Sequence, residues 1–171
     1  MTINLIVMIL QWVTASFCHY LINFDVKYLH GSLFVNNLSQ ASAELVAYAT
    51  SGFLFKALGI RKSFVLAHCL ALTGMVALLI YKGDSQFWLS VFIIVSKFGV
   101  SCNFATVYLG NQYLFPIEAV VFAYSACNFF ARTATILSPE VAELKPDSIA
   151  KWVFIFVVLG GLSSIAFLID K

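Results

Sequence analysis

Three ionisable residues stand near the centres of apolar runs in this sequence: Glu44 in "NNLSQASAELVAYATSGF", Lys97 in "VSKFGVSCNF" and Arg132 in "CNFFARTATIL". If those runs lie in lipid, each charge costs about 2.5–3.5 kcal/mol to insert, roughly 7–10 kcal/mol together. Charges at such depth face a bundle interior or a watery cavity and pair with one another. Two cations against one anion leave an excess of one positive charge. The chemistry that follows is attraction of an anionic group on a ligand. The plainer alternative is that Glu44 only neutralises Lys97 or Arg132 and ties helices together.

Helical spacing extends each charge into a stripe, because residues three, four or seven apart share a face. Asn37, Gln40, Glu44, Tyr48 and Ser51 form one stripe, and Lys97, Ser101, Phe104, Tyr108 and Asn111 another. Ser125, Asn128, Arg132 and Thr135 make a third, and Ser16, His19, Tyr20 and Asn23 a fourth. The expected binding residues are Arg132, Lys97, Glu44, Asn128 and Gln40, with Tyr48, Phe104 and Tyr108 as walls. His19 reads as an interface histidine rather than a proton relay, His30 as a loop residue, and His68 lies one turn into its segment. No two histidines have ligand spacing. Cys18, Cys69, Cys102 and Cys127 all fall inside apolar segments without a CxxC pair, so neither a metal nor another cofactor is expected. The stripes hold no paired acids, no Ser/His arrangement and no glycine-rich phosphate loop, so they point away from an enzyme.

The elements that must position these stripes follow from composition. Of the 171 residues 61% are hydrophobic and 11% charged, where a soluble domain carries roughly 25% charged. The mean hydropathy is +0.94. Lipid is the implied solvent. The net charge of +2, with no long basic run, argues against nucleic acid. A spanning helix takes about 20 apolar residues. By that measure the fold class is an all-α membrane protein, a single bundle of six transmembrane helices over 1–171, at about 3–24, 31–57, 63–81, 86–114, 118–137 and 152–169. The first reads as a retained helix, since Met1–Thr2 gives no basic start for a cleavable signal. "KALGIRK" closes the second with Gly59 as a helix stop, and Arg61 and Lys62 mark that loop as cytoplasmic. Counted over all loops and tails the cations tie, with Lys56, Arg61, Lys62 and Lys171 on one side and Lys27, Lys82, Lys145 and Lys151 on the other, so the tight cluster alone sets the orientation. Helices one, two, four and five carry the stripes and are expected around a cavity. Helices three and six are expected outside, with Gly160 and Gly161 allowing close packing.

"SKFGVSCNFATVYLGNQYLFP", Ser96–Pro116, resembles the tenth-helix segment GKFGxxxSFxxxYLYTxELFP of the organic cation, anion and carnitine transporters in the major facilitator superfamily. "WVTASFCHY" is similar to that family's WFxxSFxYY, and "NNLSQASAELVAY" to its eighth helix, through Asn36, Glu44, Ala47 and Tyr48. "KALGIRK" looks like the D-R-x-G-R-R/K loop through Gly59, Arg61 and Lys62, and "ARTATILSP" like ASRxGGxLAP through Arg132 and Pro139. Departures are specific. Lys56, Ala57, Tyr113 and Val120 replace charged groups that normally latch the cytoplasmic side, and Ala134 and Thr135 replace glycines.

The resemblance covers nearly the whole chain and implies the C-terminal half of such a carrier. It implies transport of a small organic ion by alternating access. Arg132 stands where the family's anion and carnitine carriers tend to have arginine, which agrees with the charge excess and favours an anionic or zwitterionic substrate. One bundle cannot rock alone, so a second six-helix half is expected as partner besides the lipid bilayer. The plasma membrane is implied by the family. The rival reading is a truncated, non-transporting membrane protein that acts through helix-bundle interactions.

Overall fold

The computed structural model describes residues 2–29, 31–83, 85–144 and 148–169. His30, Lys145 and Lys171 lie outside them. The described residues form helices α1 (Thr2–Asp25), α2 (Leu33–Ile80), α3 (Gln86–Leu114), α4 (Ile117–Thr135), α5 (Leu137–Ala142) and α6 (Ser148–Ser164), with short 3-10 turns at Val26–Tyr28 and Ile165–Phe167. No strand occurs among them. Five stretches are long and apolar enough to cross a membrane, with α4 and α5 counted as one. The chain is thus an integral, multi-pass, all-helical membrane protein.

Six separate apolar helices were expected, and this is corrected to five continuous helical stretches. The stretches expected at 31–57 and 63–81 are one 48-residue helical element, α2, broken internally at Gly59. "KALGIRK" forms no loop. A straight helix of that length would reach about 72 Å, but α2 is folded. Gly59 has φ 77° and ψ 172°, backbone that only glycine adopts without strain. The Ser63 hydroxyl donates to Gly59 O at 2.7 Å and reaches Leu54 O, nine residues back, at 3.4 Å. Ala47 and Ala67 meet in one cluster with Cys102. One residue without a Cβ takes the whole reversal, so both flanks keep their helical hydrogen bonds.

The fifth stretch also differs from expectation. It was expected to stop at "SPE", yet α5 continues through Pro139 to Ala142. Proline is tolerated there because first-turn N–H groups have no intrahelical acceptor. Asp25 and Lys151, read as loop residues, are helical and buried, with Lys151 Nζ 3.7 Å from Asp25 Oδ2.

Helix α1 is the central column. One face buries Phe17, Leu21 and Ile22 with Met75, Ile93 and Phe154. Nearer its start, Met8, Trp12 and Ala15 pack with Phe64, Val107 and Cys127. The second arm of α2 lies directly on α3: a Cβ on Gly99 would stand 2.3 Å from Ala71 N, and one on Gly74 would stand 2.3 Å from Ser96 N. Small residues let backbones approach this closely in lipid, where dispersion rather than water exclusion holds helices together. Of the two glycines in α6, Gly161 meets His68 and Thr14, while Gly160 faces open space. Helix α4 buries only Ala123, Cys127 and Ala131, a narrow stripe against α1, and exposes Phe122, Phe129 and Phe130.

Candidate functional site

Lys97 is the best-enclosed charge. It lies on the buried face of α3 and is fully inaccessible. Its ammonium stands 3.3 Å from Glu44 Oε2 on α2 and donates to Asn23 Oδ1 on α1 at 2.6 Å. His19 joins from α1, with Nδ1 at 3.5 Å from Lys97 Nζ and Nε2 at 3.7 Å from Glu44 Oε1. Three helices thus meet through one ion pair. Glu44 keeps 30% of its side chain exposed, so the pair is closed on the lysine side and open on the carboxylate side.

Arg132 is placed differently. It is exposed on α4, and its guanidinium donates to Tyr20 Oη on α1 at 3.0 Å and to Asn128 Oδ1, one turn back, at 3.3 Å. Both partners are neutral. Arg132, Asn128 and Tyr124 line an open groove of about 710 Å³. Tyr48, Phe104 and Tyr108 line a second groove, of about 470 Å³, between α2 and α3. An aromatic series links the two. Tyr108 and Tyr124 have ring centres 5.7 Å apart, Trp12 sits 4.5 Å from Tyr108, and His19 lies 5.0 Å from Phe104.

Gln40 stands apart. Its amide donates to Ile22 O at 3.3 Å in a buried tie between α2 and α1. Gly59 is the fold point of α2. Arg61 donates to Leu168 O at the C-terminal end, and Lys62 is exposed. Asn4 clamps the same end, donating to Ile169 O at 2.8 Å and accepting from Ile169 N at 2.9 Å.

Tyr20, Asn23, Tyr124 and Trp12 were not among the expected binding residues, and His19 was expected only at an interface. The stripe Ser16, His19, Tyr20 and Asn23 was the available signal for three of them. Trp12 and Tyr124 gave none, because an aromatic residue in an apolar helix is most often packing. Among the described residues no three His, Cys, Asp or Glu side chains are grouped to hold a metal ion.

No family model matches the chain. It is 29% identical over 139 residues to organic cation/carnitine transporter 2 of Homo sapiens, covering 81% of this chain and 25% of the relative. The rat protein of the same name is 32% identical over 141 residues, again at 81% and 25%. Solute carrier family 22 member 21 of Mus musculus is 28% identical over 141 residues with the same coverage. The chain therefore spans about a quarter of the length of the curated relatives it matches. It is an integral membrane protein distantly similar to organic-ion transporters, and its named relatives are carriers rather than enzymes.

Proposed function

We propose that the chain is one helical bundle of a carrier for small organic ions, anionic or zwitterionic, working by alternating access. The supporting observation is the unequal fate of the two cations. Lys97 is neutralised by Glu44 at 3.3 Å, whereas Arg132, among the described residues, has a phenol and an amide as partners and faces an open groove. A guanidinium whose partners are neutral favours an anion in such a groove, and its planar fork suits a carboxylate. Tyr124, Tyr108, Phe104 and Tyr48 supply apolar walls for the organic body. Glu44, half open toward Tyr48, would accept the cationic part of a zwitterion.

Tyr48 on α2 and Ser125 and Arg132 on α4 are exposed in the two grooves, a face that lipid tails cannot solvate. A second helical bundle covers that face in this proposal, and the two rock about the shared site. The plasma membrane is the proposed location. The test is uptake of labelled organic anions and cations by the complete natural protein and by its Arg132→Asp variant. Loss of anion uptake in the variant is expected. Undiminished anion uptake removes the assignment of Arg132.

A further inference from the structure

We infer that His19, Glu44 and Lys97 form a proton-binding site, and that a proton is the ion coupled to anion binding at Arg132; this rests on the anion-carrier proposal above. Among the described residues this is a titratable imidazole held between a cation and an anion, its ring 5.0 Å from Phe104, which lines the groove between α2 and α3.

The protonation state follows from the contacts. Lys97 Nζ carries hydrogens and no lone pair, so toward His19 Nδ1 at 3.5 Å it donates. Nδ1 is then the bare nitrogen. The ring proton sits on Nε2, which faces Glu44 Oε1 at 3.7 Å. This set of one lysine cation, one carboxylate and one neutral ring is balanced. A proton delivered to Nδ1 takes away the lysine's acceptor and sets two cations 3.5 Å apart. Glu44 already spans both, with one oxygen toward each. It moves toward the imidazolium, and the ammonium, keeping its three protons, shifts toward Asn23 on the exposed side of α1. The cluster behind the groove gains one positive charge.

The other groups facing His19 agree with this. From α1 come Tyr20, whose ring stands edge-on at 5.6 Å, and Asn23; from α2 Glu44, with Tyr48 hydrogen-bonded to it; from α3 Lys97, Phe104 and, beyond it, Tyr108. From α4 Arg132 is reached through Tyr20. None is a second carboxylate that would absorb the added charge. The anion at Arg132 is what balances it, so proton and anion bind together. The sequence reads His19 as an interface residue because spacing along α1 does not reveal that a lysine and a glutamate from two other helices meet its ring.

The test uses the full chain in lipid nanodiscs with benzoate, an ionised aromatic carboxylate, titrated calorimetrically in steps from about pH 7.5 down to about pH 5, where benzoate is still largely ionised. Benzoate is expected to bind about tenfold more tightly at the lower pH, the scale of one added charge acting through a partly hydrated groove. Buffers of different ionisation enthalpy should report proton uptake on binding. His19→Gln is expected to abolish both the pH dependence and the proton uptake, and His19→Tyr should do the same if the glutamine variant fails to fold. Affinity that is flat with pH, or pH dependence that persists in both variants, overturns the inference. Arg132→Gln separates the two proposals. If it binds benzoate as well as the natural chain, or if the natural chain does not bind it, the anion site itself fails. If binding needs Arg132 but ignores pH, only the proton site fails.

Discussion

Removing one partner of the Lys97–Glu44 pair should be far more damaging from one side than from the other. Lys97 is fully buried and Glu44 is 30% exposed, at 3.3 Å. In Glu44→Gln the ammonium keeps Asn23 at 2.6 Å and loses its counter-charge in a place water does not reach. Stranding a buried charge costs about 3–5 kcal/mol. In Lys97→Met the carboxylate left behind is partly hydrated, and methionine refills the space with apolar volume, so the cost is about 1–2 kcal/mol. The double variant strands nothing and should be more stable than Glu44→Gln alone, giving a coupling of about 2 kcal/mol in the cycle. Reversible unfolding in mixed detergent–lipid micelles, followed by circular dichroism, measures all four proteins. Equal losses in the two single variants, or simple additivity in the double one, would refute the pairing and the burial asymmetry behind it.

Gly59→Ala should destabilise by about 1–3 kcal/mol from backbone strain alone, since φ 77° is unfavourable for alanine while nothing lies within 4 Å of its Cβ; the unfolding midpoint reads this. Gly99→Ala should lower that midpoint through a clash, its Cβ meeting Ala71 N at 2.3 Å, whereas Gly160→Ala, facing open space, should leave it close to the natural value. Tyr20→Phe removes the phenol oxygen that accepts from Arg132 at 3.0 Å and should weaken anion binding several-fold, about 0.5–1.5 kcal/mol by titration. Asn4→Ala releases both hydrogen bonds to Ile169 and should speed hydrogen exchange at the C-terminal end without moving the melting temperature much.

Apolar length and charge scarcity were enough to read a multi-pass membrane protein, because lipid admits a chain only when its backbone bonds are satisfied within each helix. Helical period likewise exposed the polar stripes on α1, α2, α3 and α4. The number of helices was not legible. Gly59 flanked by Arg61 and Lys62 reads as a loop, and only the folded backbone reveals a single residue turning α2 while both flanks stay helical. Gln40 and Lys97 mark the same limit within the site. Both lie on polar stripes, but Gln40 is tied to Ile22 O and Lys97 is enclosed by Glu44, Asn23 and His19.

A helix's own period fixes which of its residues share a face, and the sequence alone therefore determined that Glu44, Lys97 and Arg132 each lead a polar stripe. How each helix is rotated against its neighbours is set by side-chain packing between segments far apart in the chain. That packing, through contacts such as Gly99 on Ala71 and Gly74 on Ser96, decided that Glu44 meets Lys97 while Arg132 is left to Tyr20 and the open groove.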